Sequence, residues 1–183
     1  MHQALFFFFI FSSFIAWGEI VETQHFKEIH SYLVSDTVVV LDIDDTLLIP
    51  VQMLGCDEWF QCRMRCHQKE GFTASEILEK SLAEWEAVRH LTKMEIVEPG
   101  TEEIVRKLQD QGYIVMGLTT QGLALATRTK RQLLDNQINL MQSALSREDH
   151  YLIIDGYGIL FRAGILFTSG AIKAKHCLVY LKS

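Results

Sequence analysis

With 183 residues, 49% of them hydrophobic and 22% charged, the chain is long enough for one domain with a substantial core and short for two. A net charge of -6 and a pI near 5.6 leave no basic cluster to neutralise a phosphate backbone, which excludes a nucleic-acid footprint.

The N-terminus reads as a secretory leader over 1–18. Its apolar run from Ala4 to Trp17 is shorter than the roughly 20 residues that span a bilayer, and Ala16 and Gly18 supply small residues ahead of Glu19. Only His2 stands before that run, where a leader usually carries Lys or Arg. Cleavage is expected to leave an exported protein, periplasmic or secreted, with no membrane attachment. In that compartment Cys56, Cys62 and Cys66 are read as ordinary cysteines or one disulfide; their spacing, with His67 beside the last, lacks the paired knuckles of a structural zinc site. Cys177 is expected to be a buried small hydrophobe.

Next comes a short amphipathic helix, with Phe26, Ile29 and Leu33 at helical spacing. Thr37 to Leu41 shows no polar alternation, which predicts a parallel strand buried on both faces. Residues 51–97 form a segment of their own, a helical, cap-like insertion. In it Ile77, Leu78, Leu82, Trp85, Val88 and Leu91 make one apolar stripe on a helix from Ala74 to Lys93. Trp59, Phe60 and Trp85 are candidates to pack on a ligand, although aromatics at such spacing more often belong to a core.

Thr101 is expected to cap a helix that stops at Gly112, followed by a buried strand from Tyr113 to Leu118, the loop Thr119 to Gly122 and a helix from Leu123 to Asn136. A hairpin around Asp155-Gly156-Tyr157-Gly158, a strand from Ile165 to Phe167 and a helix from about Ala171 complete the chain. Alternating strands and helices predict an α/β fold with a parallel sheet and helices on both faces.

In such sheets ligands bind beyond the carboxyl ends of the strands, where Asp42, Asp44 and Asp45 fall. Three clustered carboxylates repel one another unless a cation sits among them, and hard oxygen ligands favour magnesium, held by Asp42 and Asp44. An EF-hand is excluded because Leu47 stands where it needs glycine and Met53 where it needs the closing glutamate.

The stretch LDIDDTLL resembles the first motif of the haloacid dehalogenase (HAD) superfamily, most of whose members are phosphohydrolases. MGLTTQG resembles its second motif and FTSGAIKAKHC its third; leader-bearing members from intracellular bacteria look most similar. The resemblance spans about Thr37 to Ser183 and implies an HAD-like domain over 19–183, a magnesium cofactor and a small phosphorylated substrate. Asp42 is then the nucleophile that forms an aspartyl phosphate, and Asp44 the general acid and base. Thr119 holds a phosphoryl oxygen, with Thr120 as the alternative, and Lys173 offsets charge on Asp42 and phosphate, with Lys175 as the alternative. Asp45 and Thr46 shape the turn, and an unwinding after the strand brings Asp42 and Asp44 to one site.

The superfamily's fourth motif, a pair of acids after a further strand, has no counterpart after Lys173; Glu148, Asp149 and Asp155 precede it in the wrong order. The resemblance therefore implies a fold incomplete at its C-terminus, with the edge of the first strand unpaired and prone to self-association. Two functional expectations follow, an exported phosphohydrolase weakened by that gap and a non-catalytic remnant or phosphate-binding module.

Overall fold

The computed structural model describes residues 19–182, so the leader expected over 1–18 lies outside them. The chain enters through a 3-10 helix, Phe26–Tyr32, whose Phe26 and Ile29, with Leu33 just beyond it, pack against the core. Strand β1, Val38–Asp42, follows directly. The alternation ends in the third quarter of the chain, where helix α3 (Thr101–Asp110), strand β4 (Ile114–Thr119) and helix α4 (Ala126–Asp135) give way to strands β5 (His150–Ile154), β6 (Tyr157–Arg162) and β7 (Ile165–Phe167) and then helix α5 (Lys173–Lys182). The fold is α/β, and its five-stranded sheet runs in the order β1-β4-β7-β6-β5.

That sheet is mixed, where a parallel sheet with a hairpin around Asp155-Gly156 was expected. β1, β4 and β7 are parallel, while β6 and β5 run antiparallel. The reason is local: the two-residue turns Asp155-Gly156 and Ala163-Gly164 have positive φ at both positions, the hairpin geometry that reverses a chain between adjacent strands.

Each face of the sheet is buried by helices. Val39, Leu41, Val115 and Phe167 pack with Val105 and Leu108 of α3 and Leu133 of α4, and Met116, Phe161 and Leu166 pack with Cys177 and Tyr180 of α5 on the other side. Phe161 and Tyr180 stack with ring centroids 4.8 Å apart. β4 is the strand buried on both faces, as expected. β1 is not: Val40 is 37% exposed, on a strand at the edge of the described sheet. Thr101 does not cap α3. Gly100 takes that place at φ 92, and the Thr101 hydroxyl donates to the Glu98 carbonyl at 2.7 Å.

Strands β2 (Leu48–Pro50) and β3 (Met94–Ile96) pair antiparallel and bracket the insertion. It holds two helices, α1 (Asp57–Lys69) and α2 (Ala74–Arg89), where one was expected. The α1 signal was the cap: the Cys56 thiol accepts from the Trp59 N–H at 3.4 Å, and Asp57 and Glu58 favour the positive end of the helix dipole. Thr73 and Glu76 close a capping box on α2. Arg63 clasps the two helices by a forked pair to Glu84, at 2.5 and 3.0 Å, and holds that carboxyl below its ordinary range. The apolar stripe of α2 is not buried, with Leu78 and Leu82 nearly half exposed. All four cysteines are free, Cys177 buried as expected, and no three His, Cys, Asp or Glu side chains among the described residues are grouped to hold a metal ion.

Candidate active site

β1 ends at Asp42, in register with Leu118, and β4 ends at Thr119, in register with Phe167 of β7. Three parallel strands therefore release their loops at one edge of the molecule. After Asp42 the chain turns sharply. The N–H groups of Leu47 and Leu48 both donate to the Ile43 carbonyl at 3.0 Å, and Asp45 adopts φ 57, a left-handed conformation that aspartate tolerates. Ile43 is 1% exposed and fits because Gly117 on β4 has no side chain: a Cβ there would stand 3.1 Å from the Ile43 Cδ1. Residues two apart in extended chain share a side, so Asp42 and Asp44 emerge together while Ile43 turns inward, without the unwinding that was expected.

The two carboxylates are held differently. Asp42 Oδ1 accepts from the Lys173 ammonium at 2.5 Å and from the Ile43 N–H at 2.8 Å, while Oδ2 has no partner among the described residues and the side chain is 41% exposed. Asp44 is engaged on both oxygens. Arg89 and the Gln121 amide reach Oδ1, the latter at 2.9 Å, and Gln121 (3.0 Å) and the Thr119 hydroxyl (3.0 Å) reach Oδ2. The Gln121 amide is oriented by its carbonyl end, which accepts from the Thr129 hydroxyl.

Lys173, on the first turn of α5, is thus the lysine at Asp42, and Lys175 pairs with Asp155 at 2.6 Å instead. Asp149 is engaged by Arg162. Thr119 is fully buried and uses its hydroxyl internally, donating to Asp44 and accepting from the Gln121 N–H at 3.1 Å. Thr120 is exposed and lines the adjoining cleft.

Sequence reasoning missed Arg89 and Gln121. Gln121 sits in the TTQG loop already placed at the strand end. Arg89 lies 45 positions from Asp44 and gave no spacing signal; it closes the last turn of α2 and is 3% exposed. Burial pushes its guanidinium pKa down, and the charges of Asp44 and Asp45 oppose that. The Asp45 carboxyl is raised, first by burial and then by neighbouring Asp44.

As folded, these residues do not fit a magnesium ion held by both carboxylates. Asp44 already takes a guanidinium, an amide and a hydroxyl, and among the described residues Asp42 Oδ2 is the one hard oxygen of the pair left free. Two cationic side chains supply the charge offset for which an ion was expected.

Next to Asp44 opens a cleft of about 400 Å³ between the insertion and the strand-end loops. Its walls are Phe60, Leu82 and Trp85 on one side and Thr120, Gln121 and Ser169 on the other. Trp85 is fixed by its indole N–H, which donates to the Gly55 carbonyl at 3.0 Å. Two of the three aromatics flagged in the insertion, Phe60 and Trp85, therefore face this space.

Two curated relatives share the name "Putative outer membrane protein". One, from Chlamydia muridarum, is 26% identical over 62% of this chain, and the match spans 45% of that relative. The other, from Chlamydia pneumoniae, is 25% identical over the full chain and 70% of its own length. The chain thus spans under half of the first relative. No solved structure matches it, and no helix among the described residues is long and apolar enough to cross a membrane. A match over residues 22–182 shows that the chain belongs to the family described as "Protein of unknown function (DUF2608)".

Proposed function

We propose that the protein is an exported, HAD-like phosphohydrolase working through an aspartyl phosphate. The observation that carries this reading is the asymmetry of the two aspartates. Asp42 has one oxygen anchored by Lys173 and the other free, which suits a nucleophile, and Asp44 stands beside the cleft that would receive a leaving group. In the first step Asp42 Oδ2 attacks phosphorus, the ester P–O bond breaks, and Asp44, protonated once it has let go of Arg89, gives its proton to the departing alkoxide. In the second, Asp44 takes a proton from water as that water attacks phosphorus, and the Asp42–phosphoryl bond breaks to release phosphate. Lys173 offsets charge on Asp42 and the phosphoryl group, and Thr120, exposed at the cleft, offers a hydroxyl to a phosphoryl oxygen.

Hydrolysis of p-nitrophenyl phosphate by the wild type, assayed with and without magnesium, tests this. Asp42→Asn should lose at least about a thousandfold in kcat, as expected when a nucleophile is removed; activity surviving that change sinks the mechanism. A rate that rises with magnesium would overturn the reading that Arg89 and Lys173 supply the charge offset at the two carboxylates. The engaged Asp44 favours a second reading, a phosphate-binding module without turnover. That reading is selected by phosphate binding in calorimetry with no hydrolysis in either condition.

Export is supported by the leader-like sequence of 1–18 and by the names of the chlamydial relatives. We further propose self-association through β1, whose outer edge has no partner strand among the described residues. Light scattering should show species larger than a monomer, and Val40→Lys, which places a charge on that edge strand, should reduce them; a sharp monomer in the wild type refutes this.

A further inference from the structure

The cleft carries an excess of negative charge that phosphate recognition does not account for. Four carboxylates line it, Asp44, Asp45, Asp57 and Glu86, against the single guanidinium of Arg89. Arg89 is committed to Asp44, and the other three have no ion-pair partner among the described residues. A dianionic phosphate ester with a neutral tail would bring no charge of opposite sign to offset that field.

The apolar wall has the complementary property. Phe60, Leu82 and Trp85 offer methyl-sized contacts and aromatic faces, and Trp85 already stacks a cation, with the Arg89 guanidinium 4.8 Å from its ring centre. Glu86 is seated close against Gly122, where a Cβ would meet its Oε1 at 2.5 Å, so the loop's missing side chain admits the carboxylate. A second observation points to a ligand independently of the acids. Arg89 lines the cleft, is 3% exposed, and its buried Nε has no acceptor. A buried guanidinium N–H left unmatched is costly, and a shift of the side chain that turns it to the cleft would let a phosphoryl oxygen satisfy it.

We infer that the cleft is a leaving-group subsite for organic cations, and that the substrate class is a phosphate monoester of an alkylammonium alcohol. The phosphoryl end lies by Asp42, Asp44 and Arg89, and the ammonium end between the aromatic wall and Asp57 and Glu86. This assignment rests on the phosphohydrolase reading, with the reaction steps given above unchanged: the alcohol departs with its ammonium group intact.

Two measurements on the full chain separate the inference from that reading. The first compares kcat/KM for phosphocholine and for its uncharged carbon isostere, dimethylbutyl phosphate. A preference of about tenfold for the cation is expected from aromatic and carboxylate contacts together, and equal values overturn the inference while leaving the phosphohydrolase reading intact. The second needs no turnover: choline alone is titrated, read by tryptophan fluorescence and calorimetry, against the wild type and the double variant Asp57→Asn, Glu86→Gln. Binding should weaken about tenfold or more in the variant. Choline binding that weakens in this way, with no ester hydrolysed, retains the cation site and overturns the phosphohydrolase. Absent binding, or binding indifferent to the variant, overturns the cation site.

Discussion

Gly164→Ala is expected to destabilise the protein by about 3 kcal/mol, combining a left-handed penalty of about 1–2 kcal/mol with a steric one of similar size. Gly164 turns the β6–β7 hairpin at φ 81, and a Cβ there would lie 2.4 Å from the Leu140 carbonyl oxygen and 2.7 Å from its carbon. These are backbone atoms, so no side-chain rotation relieves the overlap. The Leu140 backbone cannot retreat freely either, since the Leu140 side chain is 2% exposed within the core. The Gly164 carbonyl also accepts from the Gly117 N–H at 2.8 Å, so a shift of the turn propagates into β4 and towards Thr119. The control is Gly156→Ala in the β5–β6 turn, at φ 82 with nothing within 4 Å of its added methyl. It should lose only the conformational part, about 1 kcal/mol. Urea midpoints compare the two; equal losses would show that the Leu140 backbone yields after all.

That pair of turns also shows where the sequence was legible. Asp155-Gly156 marks a two-residue hairpin by residue type alone, because both positions need positive φ and Asp and Gly tolerate it. Ala163-Gly164 has the same geometry with alanine at φ 53, which no local rule favours; the β6–β7 pairing imposes it. The same divide runs through the site. Asp42 and Asp44 were readable from the end of an apolar strand, and Thr119 and Lys173 from the motif resemblance. The partners of Asp44 were not. It meets Arg89 across 45 positions and Gln121 across 77, distances at which periodicity carries no information. The insertion misled for a physical reason: the apolar stripe on α2 is half exposed at Leu78 and Leu82, and Leu82 lines the cleft, so the periodicity that normally marks a core face marks a cleft wall here.

Arg89→Met should destabilise the chain by about 2–3 kcal/mol, near the lower end of what breaking a buried pair costs. The full range does not apply, because the Asp44 side chain is 25% exposed and water partly compensates its charge once the guanidinium is gone. Methionine keeps the apolar stem, and with it part of the contact on Trp85. Asp44→Asn removes the other partner and leaves a guanidinium in a 3%-exposed site, so it should cost at least as much. The double variant removes both charges together. Its loss should fall short of the sum of the single losses by about 1–2 kcal/mol, the coupling expected of a direct buried contact. The pair ties the last turn of α2 to the turn after β1, so Arg89→Met should also raise the rate of proteolysis within 51–93, ahead of global unfolding. Additive single losses, or an unchanged cleavage rate, would falsify the view that Arg89 couples the insertion to the strand-end loops of the sheet.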